Sequence, residues 1–163
     1  MTLSDKPFMG SVTEPRRAED SVEMCRILFG ADRVGPECFM TSLININSPM
    51  TFDGIMMGAL EVYAANNQAS IVSPFIVGGA MAPVTVAGTL TQVLAEILAG
   101  VSYSQLVRPG SPVIAGAFVT SIDMNSGAPT FGTPMRAISS RTPSRCRIGR
   151  FIGSSDSPMW KRG

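Results

Sequence analysis

The strongest constraint on this fold is an alternation of short, continuously apolar runs with longer segments of helical pattern. The runs "MTSLININ", "ASIVSPF" and "PVIAGAFVTSI" are apolar almost throughout, rather than at every second position. Such strands are typical of a parallel sheet covered by helices. Because right-handed crossovers place consecutive strands side by side, the pattern predicts an α/β fold with helices on one side and parallel strands, in sequential order, near residues 6–10, 41–47, 69–73 and 112–119.

Three helices are predicted between these strands. Thr13 is the predicted cap of the first helix and Asp53 that of the second. The third helix covers residues 84–107, and its apolar residues follow helical spacing. Gln92 and Glu96 lie near the middle of its most apolar part, and a central acid costs roughly 3 kcal/mol in a membrane. We therefore expect a helix packed on the sheet and no membrane segment.

Composition excludes several classes of function. The formal net charge of +1 argues against a nucleic-acid partner. Cys25, Cys38 and Cys146 are scattered and form no CxxC pair, which indicates reduced thiols in the cytoplasm rather than a disulfide framework. The chain has no histidine, which removes histidine-based catalytic pairs and histidine metal sites. No metal site is predicted, and any chemistry must use carboxylates, amides, hydroxyls or a bound cofactor.

Charge is unevenly distributed along the chain. Up to Met135 there are six basic and eleven acidic residues, whereas the segment from Arg136 onward has seven basic residues and one acid. Residues 136–163 are rich in Ser, Arg and Gly, which predicts a separate basic tail after a domain at residues 1–135. The tail is either an interaction segment for RNA or anionic lipid, or a disordered end; the lack of interleaved aromatic residues favours the disordered end.

Polar residues follow the predicted strands. Asn45, Asn47 and Ser48 crowd the end of the strand at 41–47. In parallel α/β sheets and barrels, ligands bind beyond the carboxyl ends of the strands. These three residues are therefore predicted to lie at the mouth of a pocket. The alternative is that they cap the following helix and satisfy loop amides.

Long stretches of the chain resemble the trimethylamine methyltransferase family. The resemblance covers about residues 2–134 and is carried by "TLSDKPFMGSV", "NINSPMTFDGIMMGALEVYAANNQASIVSPFIVGGAMAPVTVAGTLTQVLAEILAG" and "QLVRPGSPVIAGAFVTSIDMNSGAPTFGTP". It implies a partial TIM barrel of about four parallel strands with covering helices. It also implies transfer of a methyl group from a methylated tertiary or quaternary amine to a corrinoid carried by a partner protein, with no cofactor held tightly by this chain.

Such a substrate suggests roles for particular residues. A permanent cation is held by aromatic faces and carboxylates, which makes Phe75, Phe118 and Asp123 candidate substrate contacts. The alternative, which the sequence favours for both phenylalanines, is that they are core residues, since large aromatic side chains usually fill interiors. Asn45 and Asn47, with the neighbouring Ser48, are candidates for binding a substrate carboxylate, as a betaine would require.

The segment "GGAMAP" is a candidate approach site for the corrinoid. Gly78 and Gly79 permit a close approach of backbone to a cofactor, and Met81 follows them. The glycine pair lacks the GxGxxG pattern of dinucleotide binding. No catalytic residue can be assigned.

The resemblance stops at the basic tail, which suggests an out-of-frame or disordered end. We expect a truncated fragment that is inactive alone, because half a barrel leaves an open sheet edge and an uncovered apolar face. The first alternative is a half-barrel assembly module that another chain completes, or that self-associates through its open edge. The second alternative is an unrelated small α/β enzyme of doubly wound type.

Overall fold

The computed structural model describes residues 6–123 and 125–130. Strands and helices alternate along this part of the chain, as the sequence predicts. The elements are β1 (Phe8–Gly10), α1 (Pro15–Phe29), β2 (Met40–Ile46), α2 (Gly54–Ala65), β3 (Ala69–Gly78), α3 (Val86–Val107), β4 (Val113–Ala115), β5 (Phe118–Ile122) and β6 (Pro129–Thr130). The predicted tail at residues 136–163 lies outside the described residues.

The strands form one curled, half-barrel sheet in the order β1-β2-β3-β5-β6, and β4 also pairs with β3. The pairs β1–β2, β2–β3, β3–β4 and β3–β5 are all parallel, which confirms the predicted direction and order of the strands. The short strand β6 was not predicted, and it pairs antiparallel with β5.

Two strand boundaries differ from the prediction. The third strand does not end at residue 73 but continues through Pro74 to Gly78. The predicted strand at 112–119 is instead two strands, β4 and β5, that both pair with β3. The amide of Gly116 still donates to the carbonyl of Val72 at 2.9 Å. The next donor in this ladder would be residue 74, and because proline has no N–H the pairing is interrupted there.

One face of the sheet packs against the helices. In β2 the alternate residues Met40, Ser42, Ile44 and Ile46 are buried. The main core cluster joins this face to helix residues that include Val22, Cys25, Leu60 and Tyr63. Helix α2 contacts both α1 and α3, so the three helices lie side by side over the sheet.

Of the two predicted helix caps, the one for α2 agrees with the structure and the one for α1 does not. Asp53 accepts a 3.1 Å hydrogen bond from the amide of Ile55, which confirms it as the cap of α2. The predicted cap Thr13 is wrong, because Glu14 occupies the N-cap position of α1 without a capping side-chain bond. The hydroxyl oxygen of Thr13 instead accepts from the guanidinium of Arg17 at 3.3 Å.

Helix α3 is long and apolar enough to cross a membrane by length and composition alone. A helix from the core of a globular domain can meet the same criteria. Here α3 packs against β3 and β4, and Glu96 near its middle is only 1% exposed. Packing accounts for the apolar residues on the sheet-facing side of α3, and 28% of its most apolar window is buried.

Candidate functional site

The candidate site lies on the face of the sheet that is turned away from the helices, which we call the open face. Side chains alternate between the two faces of a strand, and paired residues of neighbouring strands share a face. The open face therefore carries Leu43 and Asn45 of β2, Ile71, Ser73 and Phe75 of β3, and Ile114 and Phe118 of β4 and β5.

Phe75 and Phe118 form a stacked pair on the open face. Their ring centroids are 5.1 Å apart and the rings are inclined by 14°. They meet because the register of β3 and β5 places them opposite each other. Phe75 keeps 44% of its surface exposed despite the stack. The structure thus brings together the two aromatic residues that the sequence singles out, and one of them is accessible to a ligand.

A polar row lies next to this aromatic pair. Asn45 is exposed and lies opposite Ser73 in the register of β2 and β3. Gly116 follows β4 on the far side of Ser73, where an added β-carbon would lie 2.9 Å from Cγ2 of Ile71. A larger residue at this position would therefore have to displace its neighbours. The result is a strip of small and polar groups beside the aromatic rings.

Asn47 and Ser48 begin the loop after β2 and face different partners. Asn47 is exposed, and its carbonyl accepts a 3.2 Å hydrogen bond from the amide of Thr51. The Ser48 hydroxyl donates to Oε2 of Glu96 on α3 at 2.6 Å. Ser48 therefore joins its loop to α3, a contact that neither the pocket prediction nor the helix-capping alternative includes. The peptide bond between Ser48 and Pro49 is cis.

Asp123 closes the turn between β5 and β6. Its carboxylate accepts hydrogen bonds from the amide of Asn125 at 3.0 Å and from the hydroxyl of Ser126 at 2.7 Å. These two bonds, the amide first, lower the pKa of Asp123 below its usual value. The carboxylate is therefore an anion at neutral pH. Both of these hydrogen-bond donors belong to the same turn as Asp123 itself.

The predicted corrinoid-approach residues form a compact turn after β3. Gly78 is buried at the end of the strand, whereas Gly79 is exposed with a φ of +90° that favours glycine. The amide of Met81 donates to the carbonyl of Val77 at 2.8 Å, and its own carbonyl accepts from Nε2 of Gln92 at 3.0 Å. Of the three predicted residues, only Gly79 is exposed.

Sequence reasoning missed the role of Glu96. It treated this acid only as an argument against a membrane span. In the structure the carboxylate accepts hydrogen bonds from Ser48, the amide of Met50 and Gln92, and so joins α3 to the loop after β2. The available signal was an acid in the middle of an otherwise apolar helix, because such a group is rarely buried without partners.

Phe118 does not lie at a strand exit as the sequence predicts, because it is the first residue of β5, and Phe75 lies inside the extended strand β3. The open face therefore combines an aromatic pair with the exposed amide of Asn45. The family model for trimethylamine methyltransferase (MTTB) matches residues 1–154. The chain belongs to this family. The matched range is longer than the expected 2–134 and reaches into the predicted basic tail.

Individual relatives agree with the family. A glycine betaine methyltransferase of Desulfitobacterium hafniense is 42% identical over 151 residues, covering 92% of this chain and 31% of the relative. A trimethylamine methyltransferase of Methanosarcina mazei is 36% identical over 75 residues, 46% of this chain and 15% of the relative. A proline betaine:corrinoid methyltransferase of Eubacterium limosum is 43% identical over 53 residues, which cover 32% of this chain and 11% of the relative. This chain thus spans at most about a third of the length of these relatives.

Proposed function

We propose that this chain is part of a cytoplasmic methyltransferase that binds a methylated tertiary or quaternary amine and presents a methyl group to a corrinoid protein. The observation that carries the proposal is the Phe75–Phe118 stack beside Asn45 on the open face. Family membership supplies the reaction class. In this proposal residues 1–135 are a partial TIM barrel whose open face corresponds to the barrel interior.

The aromatic pair would hold the cationic head of the substrate. A quaternary ammonium group is attracted to the face of an aromatic ring by about 0.5–2 kcal/mol. Phe75 retains the exposure that such a contact needs, at 44% of its surface. Methyl transfer from a quaternary ammonium leaves a neutral amine, so a quaternary substrate requires no proton from the protein, whereas a tertiary amine would have to react in its protonated form. A chain without histidine is compatible with that chemistry.

The amides would hold a carboxylate where the substrate has one. Asn45 and Asn47 are both exposed, and a side-chain amide can donate two hydrogen bonds. Asn45 pairs with Ser73, and Phe75, which pairs with Phe118, lies two residues further along β3 on the same face. A betaine, which joins a quaternary ammonium to a carboxylate through a short spacer, would match this spacing of aromatic and amide groups.

When bound, the partner's corrinoid supplies the cobalt that accepts the methyl group. The described residues fit a group presented from outside, because Gly79 is exposed at the carboxyl end of β3 and carries no side chain to obstruct an approach. Met81 is half-buried beside it. The part played by this chain is then to orient the amine and to keep its methyl group directed towards that edge.

A second candidate is an assembly module that another chain completes. It is favoured by the exposed apolar residues of β1 and the open face, which include Met9 at 63% exposure, Phe75 at 44% and Ile114 at 37%. Exposed apolar surface of this kind is normally covered by a partner. Light scattering tests it: a defined dimer or complex supports assembly, and a monomer without partners contradicts it.

Ligand binding tests the main proposal. Glycine betaine is titrated into the chain and followed by NMR, with 3,3-dimethylbutanoate as the uncharged-head control of the same shape. Phe75→Leu should weaken glycine betaine binding about 2- to 30-fold. Phe29→Leu is the matched control, because Phe29 stacks on Phe39 at 4.3 Å away from the open face. Asn45→Ala should weaken glycine betaine but not tetramethylammonium.

Two results would contradict the proposal. The first is equal binding of glycine betaine and 3,3-dimethylbutanoate, since a cation site must distinguish them. The second is an equal loss in Phe75→Leu and Phe29→Leu, since that loss would reflect stability rather than a site.

A further inference from the structure

Glu96 is a buried acid that no step of the proposed reaction uses. Its side chain is on α3, and the residue is only 1% exposed. Acids are almost never buried unless their oxygens are satisfied. The salt bridges within the described residues involve Glu14, Glu23 and Glu37 but not Glu96. Its oxygens are satisfied by hydrogen bonds alone.

These bonds connect α3 to the two loops at the carboxyl edge of the sheet. Oε2 of Glu96 accepts from the Ser48 hydroxyl at 2.6 Å, and Oε1 accepts from the Met50 amide at 2.8 Å. Oε1 also accepts from Nε2 of Gln92 at 3.0 Å. The same Nε2 donates to the carbonyl of Met81 in the loop after β3, also at 3.0 Å. One pair of side chains on a single helix turn thus binds both loops.

We propose that Glu96 is a positioning residue that holds the loops after β2 and β3 in a fixed relation at the edge of the site. The inference rests on the proposed function, because that function gives the placement of these loops its importance. The loop after β2 begins two residues after Asn45, and the loop after β3 follows Phe75 by a few residues. Holding both on one rigid helix preorganises the groups that would contact the amine.

A role in positioning differs from a role of the negative charge itself. Glutamine at this position retains one acceptor oxygen for the Met50 amide and Gln92, and its amide nitrogen can donate to the Ser48 hydroxyl. Glu96→Gln therefore keeps every partner while it removes the charge. Glu96→Leu keeps a similar volume and removes every partner. The two variants separate the two roles.

Hydrogen–deuterium exchange on the full 163-residue chain tests the proposal without any substrate. Glu96→Leu should speed exchange on the order of tenfold in residues 48–53 and 79–83, because these loops lose their common anchor. Exchange in α1 should not change. Glu96→Gln should restore slow exchange in both loops and should retain glycine betaine binding. Fast exchange in Glu96→Gln, or its loss of binding with slow exchange, would overturn a purely positioning role.

Two milder variants keep the test decisive if Glu96→Leu does not fold. Ser48→Ala removes one bond and should speed exchange only in residues 48–53. Gln92→Leu removes the bond to Met81 and should act mainly on residues 79–83. Unchanged exchange in both variants would overturn the proposal. Such a result would leave the Phe75 binding test unaffected, so that the two failures can be told apart.

Discussion

A β-carbon placed on Gly100 of α3 would lie 2.7 Å from Cγ1 of Val72 in β3. The same atom would lie 3.3 Å from Cγ2 of Val72 and 3.4 Å from the ring of Phe52. Gly100 therefore sets the distance between α3 and the central strand of the sheet. Helix α3 also carries Glu96 and Gln92, so this close packing determines where the two site loops are anchored.

Gly100→Ala should destabilise the protein. Overpacking costs about 1–3 kcal/mol, and valine cannot easily move away because its side chain is stiff. The gain in helix propensity from glycine to alanine, about 1 kcal/mol, offsets only part of this cost. Gly54→Ala is the control, because an added β-carbon at Gly54 meets no atom within 4 Å. Urea denaturation should show a loss for Gly100→Ala alone, and equal stability of the two variants would contradict the packing argument.

Tyr63→Phe should leave stability nearly unchanged or raise it. The Tyr63 hydroxyl is fully buried, and within the described residues no group meets it with full hydrogen-bond geometry; the nearby Ser42 and Ser21 hydroxyls only partly offset the rise that burial causes in its pKa. The buried hydroxyls of Ser42 and Ser70 likewise have no partner there. Removing a buried polar group without a partner is close to neutral. Tyr63→Ala should instead cost about 3–5 kcal/mol through the cavity it leaves. A loss of about 0.5–1.5 kcal/mol or more in Tyr63→Phe would contradict this and show that the hydroxyl forms a bond of normal strength.

Stability should decrease at alkaline pH. Burial raises the pKa of Cys25 and Cys38 above the ordinary value of 9.0, and it raises the pKa of Tyr63 above 10.0. The unfolded chain therefore loses these protons first as the pH rises, which favours unfolding. Their contribution is fully present below pH 9.0 and is lost as the pH passes through the raised values of the folded state.

Urea denaturation at about pH 7.5 and about pH 10, in the presence of a reductant, measures this effect. The free energy of unfolding should be lower at the higher pH. The double variant Cys25→Ala, Cys38→Ala should show a smaller decrease, because both raised thiols are absent. A decrease of the same size in the wild type and in the double variant would assign the alkaline effect to other groups.

The 163-residue chain by itself should transfer no methyl group to a Co(I) corrinoid protein. A barrel site is assembled from loops that follow all of its strands. The open face of the described residues leaves a bound amine in contact with water, and losing orientation can remove about 7–11 kcal/mol of barrier lowering. A spectrophotometric assay with trimethylamine and with glycine betaine measures the conversion of Co(I) to methyl-Co(III). Turnover would show that this chain holds a complete site.

Local patterns in the sequence predicted the alternating elements and the parallel sheet. Apolar runs, helical spacing and caps such as Asp53 act over a few residues, so that they can be read without the fold. The handedness of the crossovers then makes successive strands neighbours. Asn45 and Phe75 were recognised as candidates for the same reason, since position at the end of a strand is visible in the sequence.

Tertiary structure decided which of these residues meet. The strand β3 continues past Pro74 because its neighbours supply the remaining pairing, and this extension places Phe75 opposite Phe118. The Ser48 hydroxyl reaches Glu96 across 48 residues of sequence, which converts a candidate ligand contact into a loop anchor. Contacts at such separations depend on the packing of α3 against the sheet. No local pattern encodes that packing, because it is set by the side chains that meet only when the chain has folded.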